Sequence, residues 1–418
     1  MHDFARKGRD LWCEEVPLAE LAGRYGTPLY VYSARTLERH YRVYAEAFAG
    51  LECLICFAVK ANPSLAVLDL LGGLGAGADI VSGGELHRAL GAGIPAGRIV
   101  YSGVGKTEGE MRAALEARIL MFNLESTEEL ERLDRVAGGL GLRAPIALRV
   151  NPDVDPGTHP YVATGLRTSK FGVTFEQAQA AYARAATLAN VEVVGVDCHI
   201  GSQLTEVGPF VEAVRRLLDL VRHLRGAGHQ VRCLDLGGGL GITYDAEEPP
   251  APADYAAAIR AELGGMDLSL VLEPGRSICG NAGVLLTRVL YNKAGDERRF
   301  VVVDAGMNDL VRPSLYDAFH AVVPVREEPS RERAVVDVVG PICESGDFLA
   351  RQRELQEVVS GELLAVMSAG AYGFSMASTY NSRPLAAEVM VSGDRHGPVR
   401  ERGTLDDLTR GERRFDRS

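Results

Sequence analysis

From about Leu51 to Glu273 one pattern repeats. A short β-rich run ends in glycine or polar residues, and an Ala/Leu/Arg/Glu-rich amphipathic stretch follows. The candidate strands are Leu54–Val59, Ala78–Val81, Arg98–Tyr101, Ile119–Phe122, Ile146–Val150, Val193–His199, Arg232–Leu236 and Leu268–Leu272. Helical stretches such as Ser126–Val136, Phe175–Leu188, Phe210–Arg225 and Ala253–Leu263 lie between them. Strands that alternate with helices imply a parallel sheet, and about eight such units predict a closed (β/α)8 barrel.

After Arg276 the pattern changes. The runs Leu285–Tyr291, Phe300–Val303, Ala334–Val339, Leu363–Met367 and Ala387–Val391 are β-rich and separated by turns, which predicts a second, antiparallel β domain. Thr27–Tyr32 is also strand-like and is expected to pair with that domain, so the chain enters the barrel late. The boundaries read as 1–35 for the segment joining the β domain and 36–275 for the barrel. The β domain then covers 276–395, and 396–418 is charged and apolar-poor, a surface helix or frayed tail.

A formal net charge of −11 over 418 residues argues against nucleic acid or an anionic membrane as partner. The residues from Met1 to Lys7 lack the apolar core of a signal peptide, and no apolar run approaches transmembrane length. Seven scattered cysteines, with Cys53 and Cys56 as a lone CxxC, predict a reducing cytoplasm without disulfides or a zinc site.

The active site of such a barrel lies at the C-terminal ends of its strands. Those ends carry Lys60, Asp79 with Ser82, Ser102, Asn123, Arg149 with Asn151, His199 with Ser202, Gly237-Gly238-Gly239, and Glu273 with Arg276. Lys60 alone is either a solvated cap or a reactive amine, and desolvation costs a buried ammonium dearly. The loops Gly237-Gly238-Gly239-Leu240-Gly241 and Glu273-Pro274-Gly275-Arg276 follow the seventh and eighth strands, the usual phosphate site of this barrel. A glycine run by itself is equally a tight turn. A phosphate, a lysine and a strand-end carboxylate together suggest pyridoxal phosphate. Lys60 would hold the cofactor, Glu273 would face its pyridine nitrogen, and His199 would lie flat on the ring. A satisfied core histidine is the commoner role for His199, and it has no partner at metal-ligand spacing.

Phe57-Ala58-Val59-Lys60-Ala61-Asn62, His199-Ile200-Gly201-Ser202-Gln203, the triple glycine and Glu273-Pro274-Gly275-Arg276 resemble the alanine racemase-like, fold type III pyridoxal-phosphate decarboxylases. Arg312-Pro313-Ser314-Leu315-Tyr316, Gly340-Pro341-Ile342-Cys343-Glu344-Ser345-Gly346-Asp347 and Gly370-Ala371-Tyr372-Gly373 resemble the branch that acts on meso-diaminopimelate. The resemblance runs from about Thr27 to Pro384. It implies that Lys60 is the Schiff-base lysine and Glu273 the pyridinium partner. Asp79, His199, Ser202, Gly238, Gly239, Gly275, Arg276 and Tyr372 complete the cofactor set. Arg276, Arg312, Tyr316, Glu344 and Tyr372 would bind substrate, and Cys343 would return a proton after carbon dioxide leaves. It also implies a homodimer in which Cys343 and Tyr372 reach across from the partner.

The far end of diaminopimelate carries a carboxylate and an ammonium. A guanidinium recognises a carboxylate by paired hydrogen bonds, so Arg312 and Arg276 with Tyr316 would clamp it and Glu344 would meet the ammonium. Taken singly, Arg312 could be a surface ion pair, Cys343 an inert thiol, and Glu344 or Asp347 loop-solvating charges. The expected reaction is decarboxylation of meso-diaminopimelate to L-lysine, the last step of lysine biosynthesis. A same-fold decarboxylase of arginine, ornithine or a carboxylated polyamine, and a silent binding protein, are the alternatives.

Overall fold

The structure is a computed structural model and describes residues 2–154, 170–295 and 298–415. The chain divides into two compact units, one spanning Glu38–Ile278 and the other built from the two ends of the chain.

Eight parallel strands close the first unit into a barrel: Cys53–Ala58, Gly77–Ile80, Ile99–Tyr101, Met121–Leu124, Ala144–Arg149, Val191–Asp197, Cys233–Asp235 and Ser269–Leu272. Closure comes from the last strand pairing with the first, Leu270 opposite Cys53 and Leu272 opposite Ile55. Each strand overlaps its expected run. Polar caps start the intervening helices: the Ser82 and Ser126 hydroxyls accept from the Glu85 and Glu129 amides, and Thr107 forms a capping box with Glu110.

Cys56, Val100, Met121, Ala147, Val194, Cys233 and Val271 make an apolar plug inside the barrel. Side chains in a strand return to the same face every second residue. Two residues beyond five of these plug positions stand Ser102, Asn123, Arg149, Asp235 and Glu273, all buried. An apolar layer therefore gives way, one step toward the strand C-termini, to a layer of polar and charged groups. That step turns a packing core into a site.

The second unit holds a nine-stranded sheet. Its central strand, Gly283–Ala294, pairs antiparallel with Arg299–Val303, Leu363–Val366 and Leu29–Ser33. Leu29–Ser33 is buried along its whole length and aligns parallel with Ala387–Ser392. Arg299–Val303 and Arg333–Val339 also run parallel, so the sheet is mostly rather than wholly antiparallel. Strands far apart in sequence need no hairpin between them, which frees their relative direction. Tyr30, Leu285, Val303, Val338 and Val366 anchor one core, and Leu18, Val31, Val284 and Val389 anchor another.

Three elements depart from expectation. A small sheet of Phe4–Lys7, Asp10–Cys13 and Val16–Pro17 precedes a helix, Leu18–Tyr25. Phe348–Gln356 is a strand, although Arg351, Gln352, Arg353 and Glu354 sit in its middle. Its pairing shifts register beside these residues and Gln352 has φ +50°, so the polar stretch is an irregular strand. Beyond Ser392, Arg395–Arg400 pairs with Ala387–Ser392 before a short helix, Leu405–Thr409; the charged composition of that segment conceals a strand. Among the described residues no helix is long and apolar enough to cross a membrane.

Candidate active site

The first barrel strand ends at Ala58, and a single 3-10 turn, Val59–Ala61, carries Lys60. Its Nζ lies 2.6 Å from Oδ2 of Asp79, which comes from the second strand and is fully buried. Lys60, Ser102, Arg149, Phe171, His199 and Glu273 line one cavity of about 380 Å³. A larger cleft, about 1000 Å³, is lined by residues preceding or opening the strands, including Arg143, Glu192, Arg232 and Ser269. Its Arg143 and Arg225 donate to the carbonyls of Val191 and Val231 and so brace that rim.

Glu273 follows the last strand, and its Oε1 accepts from the Ser102 hydroxyl at 3.1 Å and the Asn123 amide at 3.4 Å. The same Asn123 amide donates to Asp235 Oδ2 at 2.9 Å, and Asp235 Oδ1 accepts from the Gly237 amide at 3.0 Å. Asp197 joins them: one oxygen from each of Asp197, Asp235 and Glu273 lies within 4.8 Å of the others. Burial first, then the mutual repulsion of these carboxylates, holds all three above the usual carboxylate range, Asp235 at about 8. Asp197 and Asp235, the last residues of their strands, are site residues absent from the sequence-derived set because each ends an apolar run. Asp235 stands two residues beyond the plug residue Cys233, which was the available signal; Asp197 lies three beyond Val194, past a register shift between Val193 and Gly195, so simple alternation does not reveal it.

Burial, then Arg149 and Lys60, pushes the His199 imidazole well below its ordinary value. Its Nδ1 receives the Gly238 amide proton at 3.1 Å, so Nδ1 is the bare nitrogen of a neutral ring. Arg149 is held by Glu125 at 3.1 Å and lies 4.7 Å from the centre of the Phe171 ring. The Arg276 guanidinium donates to Ser202 Oγ at 3.0 and 3.3 Å and to the Tyr244 hydroxyl at 2.8 Å.

The glycine loops come close to their neighbours. Gly239 has φ +122°, which only glycine adopts freely, and a Cβ on Gly238 would sit 2.3 Å from the Glu273 carbonyl. A Cβ on Gly275 would meet Ala61 at 2.9 Å, so this loop packs directly on the Lys60 turn.

These residues fit pyridoxal phosphate. The cavity has the lower end of the size range of small-molecule sites, with a primary amine on one wall and a carboxyl on another. Burial and neighbouring acids raise Glu273 despite the Lys60 and Arg149 charges, an environment that a protonated ring nitrogen would relieve.

In the second unit two of the motifs meet. Arg312–Tyr316 is a short helix opened by buried Arg312, and its Ser314 hydroxyl donates to the Gly346 carbonyl. Asp347 is buried and accepts from the amides of Ile342 and Met307, each at 2.6 Å, so it shapes the loop that carries Cys343 and Glu344. Both of those residues are exposed. The Cys343 amide donates to Asn381 Oδ1 at 2.7 Å. Tyr372 is partly buried with φ +55°, and Tyr316 is also partly buried. Nonglycine residues hold positive φ at some cost, a feature that concentrates in functional loops.

Residues 34–280 match the family described as pyridoxal-dependent decarboxylase, pyridoxal binding domain. The chain is 56% identical to the diaminopimelate decarboxylase of Pseudomonas aeruginosa, covering 99% of both chains. It belongs to the diaminopimelate decarboxylase family. Solved members include the Helicobacter pylori enzyme complexed with L-lysine, 44% identical with a TM-score of 0.91 over 94% of this chain and 98% of that one. The diaminopimelate decarboxylase from m. jannaschii in co-complex with L-lysine is 40% identical, with a TM-score of 0.93 over 98% of both chains. As in any pyridoxal-phosphate-dependent decarboxylase, the cofactor's electron sink is the chemistry this barrel serves.

The buried carboxyls of this diaminopimelate decarboxylase family member carry a pH prediction. Asp235 is raised from 3.8 to about 8, so the folded protein keeps a proton that the unfolded chain has lost. That contribution is full below about pH 4 and is lost as pH rises through about 8. Denaturant unfolding of cofactor-free protein should therefore show stability declining across this interval, and Asp235→Asn should flatten the decline. An unchanged slope in the variant would remove Asp235 from the proton-holding cluster.

Proposed function

We propose that the chain decarboxylates meso-diaminopimelate to L-lysine and carbon dioxide using the barrel-mouth residues as a pyridoxal-phosphate site. The observation that carries this reading is the single cavity onto which Lys60, His199 and Glu273 converge. Lys60 would hold the cofactor covalently once its amine parts from Asp79. The amides of Gly239 and Gly275 and the Ser202 hydroxyl would meet the phosphate, while Gly238, whose amide donates to His199, would fix the ring of that histidine against the cofactor. His199, as a neutral ring, would bear on the face of the pyridine without adding charge. Glu273 would hold the proton of the ring nitrogen, steadied by Ser102 and Asn123. When bound, the cofactor supplies an electron sink for the pair left behind by carbon dioxide.

At the substrate's far end, Arg312 and Arg276 with Tyr316 would clamp the carboxylate, and Glu344 would meet the ammonium. Tyr372 would touch both cofactor and substrate, and Cys343 would deliver the final proton to carbon. Cytoplasmic location and a homodimer with shared sites, Cys343 and Tyr372 coming from the second copy, belong to the same proposal. The buried guanidinium of Arg312 supports diaminopimelate over a diamine precursor, because its planar fork offers paired donors to the second carboxylate that only diaminopimelate carries.

The test is carbon dioxide release from meso-diaminopimelate, L-lysine, L-ornithine and L-arginine with pyridoxal phosphate supplied. Release from diaminopimelate alone is expected. Release from ornithine or arginine at a comparable rate would overturn the roles given to Arg312 and Glu344 while keeping the cofactor site.

A further inference from the structure

Arg312 stands at the head of its short helix, and Asp317, with φ +50°, turns the chain back immediately after it. The return brings His320, which has no exposed surface, against Arg312: Nη1 lies 3.0 Å from Nε2 of the imidazole. The other ring nitrogen, Nδ1, lies 2.8 Å from the Met367 carbonyl. These two contacts settle the protonation of the ring. A carbonyl can only accept, so Nδ1 carries hydrogen; a guanidinium can only donate, so Nε2 is bare. His320 is therefore a neutral imidazole of one defined tautomer.

Met367 is held from both sides. Its amide donates to the Ala321 carbonyl at 2.8 Å, next to the bond its own carbonyl accepts from His320. It also opens the loop leading to Tyr372, which is pinned at Ala369 to the Gly283 carbonyl and at Gly370 to the Gly280 carbonyl. One imidazole thus ties the guanidinium of Arg312 to the base of the Tyr372 loop.

We infer that His320 is a positioning residue for substrate: it fixes the orientation of the Arg312 guanidinium toward the carboxylate that diaminopimelate keeps. This inference rests on the proposed role of Arg312. A hydrogen bond to one terminal nitrogen restrains the planar fork, whose value in recognition depends on presenting two donors in one plane. A carboxylate in the place of His320 would restrain the fork equally well but would set a negative charge against the incoming anion. A neutral imidazole orients the cation and leaves its charge to act on the ligand.

Three variants at this position separate orientation from packing. His320→Leu removes both bonds. His320→Asn keeps a short amide able to donate to Met367 but too short to reach Arg312. His320→Gln keeps an acceptor within reach of Arg312. For the full chain loaded with pyridoxal phosphate, His320→Leu and His320→Asn should raise KM for diaminopimelate about tenfold or more with kcat nearly unchanged, because uniform binding is what is lost. His320→Gln should recover most of the affinity. Calorimetric binding supplies a readout free of turnover. L-lysine retains the clamped carboxylate and should bind more weakly to the Leu and Asn variants. A diamine of the same length, 1,5-diaminopentane, has no carboxylate and should bind as it does to the parent protein.

Arg312→Ala is measured alongside, alone and combined with His320→Asn. The expected result is that His320→Asn adds little once Arg312 is gone. If Arg312→Ala raises KM and His320→Asn does not, the positioning role is overturned and the clamp stands. Should Arg312→Ala itself leave KM unchanged, the reading of Arg312 falls first. Equal weakening of lysine and diaminopentane by the Asn variant would assign His320 to packing alone and overturn the inference.

Discussion

Lys60→Ala is expected to lower turnover by on the order of 10⁴-fold or more, the upper end of what one positioned proton-transfer group contributes, with covalent anchorage lost besides. The variant should also lose the long-wavelength absorbance of lysine-held cofactor, leaving cofactor that washes out on dialysis. Two further measurements separate chemistry from folding. Removing Lys60 leaves Asp79, fully buried, without the ammonium 2.6 Å away, so some loss of stability is expected from the stranded carboxylate. Lys60→Ala combined with Asp79→Asn should recover that stability and none of the turnover. A small primary amine in the buffer should then restore part of the activity, since it supplies the missing nitrogen without the tether. Persistence of the lysine-type absorbance in Lys60→Ala would assign the anchor to another amine.

Much of the barrel was legible from periodicity because each strand is a near-continuous apolar run, the pattern expected of strands buried on both faces. The same continuity concealed part of the site. Asp197 and Asp235 are single acids at the ends of Val191–Asp197 and Cys233–Asp235, and motif reading was drawn to the histidine and glycines just beyond them. What exposes Asp235 is layer position: a charged residue one step above an apolar plug cannot be solvated from below, so it must find partners in its own layer. Asp197 escapes that rule, because a register shift between Val193 and Gly195 leaves it three residues past the plug residue Val194. Asn123 and the Gly237 amide supply those partners for Asp235.

The β unit was harder to read for a different reason. Its sheet joins segments from both ends of the chain, and no local signal reveals that Leu29–Ser33 lies between Gly283–Ala294 and Ala387–Ser392. The strand-like run Thr27–Tyr32 pointed to pairing with the β domain but not to the particular strands on either side. His320 was invisible for a third reason. A lone histidine after an aromatic residue carries no motif, and its importance lies in two contacts, one eight residues back and one 47 residues ahead. Asp347 shows the converse: noted in sequence as a possible solvating charge, it is buried and organises the loop backbone.

Cys343→Ala carries the second large expected effect, and the loop that holds the thiol makes it a clean test. Asp347 fixes the loop through the Ile342 and Met307 amides, Ser314 holds it at Gly346, and Asn381 holds the Cys343 backbone. None of these bonds involves the sulfur, and Cys343 is exposed, so truncating it removes no core packing. The loop should keep its shape, cofactor loading should match the parent protein, and KM for diaminopimelate should stay within a few-fold. Turnover should fall by about 10²–10⁴-fold, the range for loss of a positioned general acid. With the thiol gone, the proton must come from water, so kcat should become more sensitive to deuterated solvent. Cys343→Ser should fall between parent and Ala, since a hydroxyl can donate but is a weaker acid than a thiol. Unchanged turnover in Cys343→Ala would assign the proton to another donor, and Tyr372, proposed to touch both cofactor and substrate, would be the next residue to replace.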